Sequence, residues 1–317
     1  MISGGVRART TSGPATRDAH PKAHGCLAAT LQVLSDLPTE VAQGLFANPA
    51  SYPCWVRFSN GSGTPQDDKI GDGRGMAVKV MNVTASRSNT QDFIMINNPV
   101  FFVRNASDYV AFQSASNPMR FFLPGWNPFR FRIHEYFAAS GITRRVVSNP
   151  LNTQYYSMTP YLLGHQACKF SCRPMGDPSP FVDRSSANFL HHNLVASLAS
   201  RDAAFEFCVQ LRKTTGSMPI EDPTIAWSEE ASPFIPVAHL LINRQIFDTP
   251  ERVAFGEALS FTPWHGLDAH RPLGGINRVR RIVYETISAL RHDLNHVQRF
   301  EPTVNISNTQ TTSNPGE

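Results

Sequence analysis

Four largely apolar, β-prone stretches fall within the first hundred positions, at 26–34 (CLAATLQVL), 54–59 (CWVRFS), 75–81 (GMAVKVM) and 92–96 (DFIMI). Gly, Asn, Asp and Ser fill the intervals between them, as loops require. One short helix is expected among them, at 39–46, with Thr39 as its cap and Asn48-Pro49 beyond its end. Parallel strands need long crossovers, usually helical, so strands this close together predict an antiparallel sheet or barrel rather than a doubly wound fold. Alternation returns at 166–173 (QACKFSCR), 204–211 (AFEFCVQL) and 236–242 (PVAHLLI), enough to complete a barrel. With helical patterns at 107–116 and from 251 onward, the fold class is α+β, an antiparallel β-barrel core with helices.

The second constraint lies near the other end of the chain. Val279, Ile282, Val283, Ile287, Leu290 and Leu294 recur at helical spacing, predicting an amphipathic helix that buries this apolar face. Arg280 precedes Tyr284 by four residues and Arg291 follows it by seven, so all three project toward one side. Guanidinium charge favours the ionised form of a neighbouring phenol, and a phenolate oxygen is a known axial ligand of haem iron. Spacing alone also allows a plain tyrosine on an arginine-rich helix.

Composition narrows the partners. Of the 29 basic residues only positions 22, 69, 79, 169 and 213 are Lys; the rest are Arg, the better residue for holding carboxylate or phosphate in a fixed bidentate geometry. The arginines are scattered and no recognition-helix or RNA-binding signature accompanies them, so nucleic acid is not an expected partner. Five cysteines at irregular spacing inside apolar runs predict buried free thiols in a reducing compartment, and Cys168-x-x-x-Cys172 lacks the second pair that a zinc site needs. No run of 18 apolar residues predicts a spanning helix, and the first twenty residues lack the apolar core of a secretory signal. Cytoplasm is the default compartment. The aromatic-rich stretch 121–137, with Arg130 and Arg132, is expected to pack across its own domain, with contact to lipid or an apolar ligand as the alternative. Residues 1–16 read as a loose arm, 17–298 as one domain and 299–317 as a polar tail.

Five ordered motifs resemble those of the catalase superfamily. Arg17-x-x-His20 stands just ahead of the first strand; Val56-Arg57-Phe58-Ser59 and Asp72-x-Arg74-Gly75-Met76-Ala77-Val78-Lys79 follow. Asn97-Asn98-Pro99-Val100-Phe101-Phe102-Val103-Arg104 is similar to a catalase motif with one residue deleted, and Arg280-x-x-x-Tyr284, with Arg291 seven on, is similar to the proximal motif. The resemblance implies haem b (iron protoporphyrin IX) between the barrel and the C-terminal helix, with Tyr284 as the iron ligand and Arg280 keeping it deprotonated. It also implies His20 as the distal acid–base group, Ser59 orienting it, and Asn97, or Asn98 given the deletion, as the amide that holds peroxide. Arg17, Arg57 and Arg291 would bind the propionates and Phe101 would stack near the porphyrin, with Tyr109 as a second candidate. Asp72 aligns with a channel acid, whereas a turn with a surface ion pair is its plain reading.

Typical catalases are longer, and this chain is similar to the small catalase-like haem proteins. The implied activity is peroxidase or catalase chemistry on hydrogen peroxide or an organic hydroperoxide, with an unknown reductant, by a monomer or homodimer. A hydroperoxide isomerase of the allene oxide synthase type is the alternative; those relatives carry Thr before the distal His, and here that position is Ala19. A haem carrier without catalysis is the third reading, one that needs neither His20 nor Asn97.

Overall fold

Residues 14–115 and 117–302 are described by a computed structural model. Nine strands are described: β1 (Ala23–Val33), β2 (Ser51–Asn60), β3 (Arg74–Met81), β4 (Thr90–Ile96), β5 (Tyr155–Tyr156), β6 (Tyr161–Leu163), β7 (Gln166–Pro174), β8 (Ala203–Leu211) and β9 (Ile235–Ile242). All pairings between them are antiparallel, in the order β5-β4-β3-β2-β1-β9-β8-β7, and β5 pairs back onto β7. The result is a closed eight-stranded barrel, the architecture that the strand spacing predicts, with β6 as a hairpin partner on β7.

Closure follows from period-two patterning. Leu27, Leu31, Val56, Phe58, Val78, Phe93, Phe170 and Phe207 fill the interior in one buried cluster. Their neighbours in sequence face outward. Arg57 and Ser59 share a face, but it is the outer one, because Val56 and Phe58 take the core.

Six α-helices are described: α1 (Ala106–Ser114), α2 (Pro118–Phe122), α3 (Ile133–Thr143), α4 (Phe189–Ser200), α5 (Pro250–Ala258) and α6 (Gly274–Leu294). The helix expected at 39–46 reduces to a single 3-10 turn at Gly44–Phe46. Gly44 has φ +59°, a left-handed conformation that does not continue a helix, and a Cβ there would lie 2.6 Å from His270 Nε2. That imidazole accepts the Leu45 N–H at 2.8 Å, tying the turn to the chain ahead of α6.

The apolar stripe on α6 is not simply its buried face. Ile282 is 70% exposed, while Asn277, Arg280, Arg291 and His292 are buried beside Ile276 and Ile287. Burying guanidinium and amide groups is costly unless each is bonded, so the partners of this polar stripe define what the helix is for. Residues 1–13 of the expected arm and 303–317 of the expected tail lie outside the described residues. Their inner ends are fastened: Ala15 N–H donates to Asn295 Oδ1 at 2.7 Å, and Glu301 pairs with Lys79 at 2.6 Å. The five cysteines are buried and free, as their apolar surroundings predict.

Candidate active site

Strand register gathers the first group of predicted residues. Ser59 is paired with Gly75, and Gly75 with Ile96, so Ser59, Gly75 and the residue before Asn97 form a row across β2, β3 and β4. His20, just ahead of β1, lies over this row with φ +61° and its Nδ1 3.0 Å from Ser59 Oγ. A Cβ at Gly75 would meet the imidazole at 2.7 Å, so only glycine leaves room for it. Burial, reinforced by the positive charges of Arg57, Arg280 and Arg17, pushes the His20 pKa down to about 3 and keeps the ring neutral.

Asn97 is wholly buried and its Oδ1 accepts the Arg74 N–H at 2.8 Å. Its Nδ2 has no hydrogen-bond partner. Asn98 instead donates its Nδ2 to the Val100 carbonyl at 2.8 Å, so of the two candidates Asn97 is the one with a free amide donor. Buried donors are rarely left unpaired, and an orphaned one marks a place for a ligand or water. Asp72 braces the neighbouring loop, its Oδ2 accepting the Ser62 N–H at 2.9 Å. Its expected ion-pair partner Arg74 is buried and donates to Asn60 Oδ1 and to the carbonyls of Asp68 and Ile70.

The second group sits on α6. Arg280 donates through Nη2 to Tyr284 Oη at 3.2 Å, and through Nη1 to Asn277 Oδ1 and Thr159 Oγ1 at 3.0 and 3.2 Å. Burial works against its charge, but the phenolic oxygens of Tyr284 and Tyr161 outweigh burial and raise its pKa above the ordinary arginine value. Because Arg280 also acts on His20, the two groups share one electrostatic neighbourhood. Tyr109 belongs to it too: burial and the nearby Tyr284 push its pKa up to about 12. Phe101 is buried and stacks on Phe102 at 4.7 Å, with Tyr109 at 6.1 Å.

Arg17, Arg57 and Arg291 converge on a residue the sequence reading missed, Glu257 at the end of α5. Arg17 Nη1 lies 2.8 Å from Glu257 Oε2 and Arg57 Nη2 3.2 Å from Oε1, while Arg291 donates to the Glu257 carbonyl. Arg17 and Arg291 also donate to the Leu259 carbonyl at 2.7 and 3.1 Å, a favourable place for cations at a helix C-terminus. Burial opposes the Glu257 charge, yet Arg17 and Arg57 hold its carboxyl below the usual range. Burial and Arg57 together push Arg17 down to about 9. Two guanidinium groups thus meet the Glu257 carboxylate and a third its backbone carbonyl, and Arg57 Nε is buried without a partner. Nothing in the sequence links position 257 to these arginines, since the contact is made only when α5 packs beside α6. Asn277 and Thr159, which hold Arg280, were likewise unforeseen, although Asn277 stands one helical turn before it.

These residues fit a haem on the chemistry of their donors: a phenol tied to a guanidinium, an orphaned amide and a neutral imidazole at the same row of β2, β3 and β4, and guanidinium groups of the kind that hold carboxylates. A cavity of about 240 Å³ lined by Tyr156, Lys169, Trp227 and Phe234 includes none of the predicted site residues.

The catalase family model matches residues 14–120. No curated protein sequence matches the chain. Among solved structures, a fungal catalase superposes with a TM-score of 0.69 at 17% identity, covering 90% of this chain and 61% of its own. A bacterial catalase gives 0.65 at 17%, covering 98% and 66%. Catalase A from Saccharomyces cerevisiae gives 0.70 at 16%, covering 95% and 68%. The chain therefore spans about two thirds or less of the length of the first two. Sequence likeness to the catalase family thus extends over the first third of the chain, and the likeness to the solved catalases, at 16–17% identity, is one of fold.

Proposed function

We propose that the protein is a haem-dependent peroxidase of the catalase type, cleaving the O–O bond of hydrogen peroxide or an organic hydroperoxide. The observation that carries this reading is the neutral His20, braced by Ser59, beside the unpartnered Asn97 amide. Tyr284 is the residue to hold the iron, with Arg17, Arg57 and Arg291 for the propionates. Bound through a phenolate, haem supplies an electron-rich centre that weakens a peroxide O–O bond.

The chain itself manages position and protons. With Nδ1–H donating to Ser59 Oγ, His20 presents the Nε2 lone pair and takes the peroxide proton there. Returning that proton to the departing oxygen lets it leave as water or an alcohol rather than as a costly anion. Asn97 Nδ2 donates to the peroxide and fixes its orientation. Arg280 donates to the Tyr284 oxygen at 3.2 Å and fixes where it meets the iron. Ala19 is exposed and offers His20 no hydrogen bond, which favours proton shuttling over the isomerase alternative.

Reconstitution with haem tests the proposal. The expected outcome is a Soret band and turnover of hydrogen peroxide or a bulkier hydroperoxide. A base with its pKa lowered to about 3 stays deprotonated, so kcat/KM keeps its value as pH falls through 6.5 and declines only toward about pH 3. A folded preparation that takes up no haem overturns the reading.

Glu257→Gln gives a second check. The Glu257 carboxylate competes with an incoming propionate for Arg17 and Arg57. Removing its charge lowers the haem Kd by about two- to fivefold, the range of a partly exposed ion pair, in a Soret titration.

A further inference from the structure

Half of the exposed large apolar side chains among the described residues lie between Val110 and Val146. They centre on a closed loop, 123–131, whose ends meet where Arg132 N–H donates to the Phe122 carbonyl at 2.8 Å. At the root of the loop Phe121 and Phe122 are buried, and Arg132 pairs with Asp108 while lying 4.4 Å over the Phe121 ring. At its tip Trp126 is 61% and Phe129 97% exposed. The expectation that this aromatic stretch packs across its own domain therefore holds for its root and fails for its tip.

The tip is built, not frayed. Two 3-10 turns, Pro124–Trp126 and Pro128–Arg130, shape it, and Asn127 Oδ1 accepts the Phe129 N–H at 3.0 Å. Trp126 has φ +57°, a conformation that bulky side chains rarely adopt and that is uphill unless the side chain gains something by it.

The geometry points to this loop as a docking element for the surface of an anionic lipid bilayer. Indole and phenyl groups held out on a rigid loop seat in the boundary between headgroups and acyl chains, where Trp is favoured. Arg120 and Arg130 are exposed beside them and engage no carboxylate among the described residues, leaving their charge for lipid phosphates. The one acidic residue between 118 and 137, Glu135, is buried and paired with Arg104 at 3.2 Å. A second copy of the chain is a poorer occupant, since a two-fold contact brings the same unpaired arginines together with no local acid to meet them. No helix among the described residues is long and apolar enough to cross a membrane, so the contact is interfacial.

Co-sedimentation of the purified protein with vesicles tests the inference. The expected result is pelleting with phosphatidylglycerol-containing vesicles and about tenfold less with phosphatidylcholine alone. Trp126→Ser/Phe129→Ser loses about tenfold in binding with an unchanged melting temperature, since both side chains are exposed. Brominated lipid quenches a tryptophan signal in the wild type that is missing from the variant. No pelleting with anionic vesicles, or pelleting that the double substitution leaves unchanged, overturns the proposal. So does a wild-type dimer in sedimentation that becomes a monomer in the variant, because the second copy is then the occupant.

Discussion

Replacing His20 with Ala lowers peroxide turnover by about a hundred- to ten-thousandfold, the span of a positioned acid–base group, and leaves the Soret band in place. The separation is expected because His20 is bonded to Ser59, far along the chain from the Arg280–Tyr284 pair that meets the iron in the proposed site. In the proposed mechanism its contribution is a proton moved twice, first from the peroxide and then onto the leaving oxygen. Imidazole added to the variant restores part of the rate if space is all that was lost. A variant that binds haem normally and turns over peroxide at the parent rate sinks the assignment of His20.

Lys79→Ala is expected to cost about 3–5 kcal/mol, the loss when a buried ion pair is deprived of one partner. Lys79 lies on the outer face of β3, fully buried, with Nζ 2.9 and 3.0 Å from the two Asp92 oxygens and 2.6 Å from Glu301 Oε2. Asp92 also accepts the Thr262 N–H at 3.0 Å, so the cluster joins the barrel to the chain leaving α5 and to the end of the described chain. Without the ammonium, two carboxylates face each other in a site where burial already raises the Asp92 pKa. Urea unfolding reads this as a lower midpoint with an unchanged slope. Lys79→Met/Asp92→Leu recovers most of the loss if desolvated charge is its source, because an apolar pair needs no partner. A single variant as stable as the parent removes the ion pair from any account of the fold.

The barrel was legible because inward residues recur with period two and no helix intervenes among the first four strands. The motifs containing His20, Ser59, Asn97 and Tyr284 could be read for the same reason: each is short and local. What escaped depends on contacts between distant segments. Whether Arg57 and Ser59 turn inward or outward is decided by Val56 and Phe58 winning the core, which alternation alone leaves open. Glu257 meets Arg17 across 240 positions. The strand β5 is too short to carry a pattern, and α4 shows little amphipathic contrast, with Phe189, Leu190, Leu194 and Leu198 buried alongside Asn193 and Ser197. The apolar stripe of α6 misled for a physical reason, since bonded guanidinium groups took the buried positions that hydrophobicity would assign to Ile282.

The seam of the barrel has a bearing on how the protein fails. β1 and β2 are registered over nine residue pairs, whereas β4 meets β5 through one, Ile96 with Tyr156. Asn97, proposed above to hold peroxide, is the next residue, bonded to Arg74 of β3 on one side and adjoining the thinnest join in the cylinder on the other. Cooperative units with few bonds open at lower free energy than the whole molecule. Amide protons around 96–98 and 155–156 therefore exchange through a local breathing motion that spares the phenylalanine-filled interior.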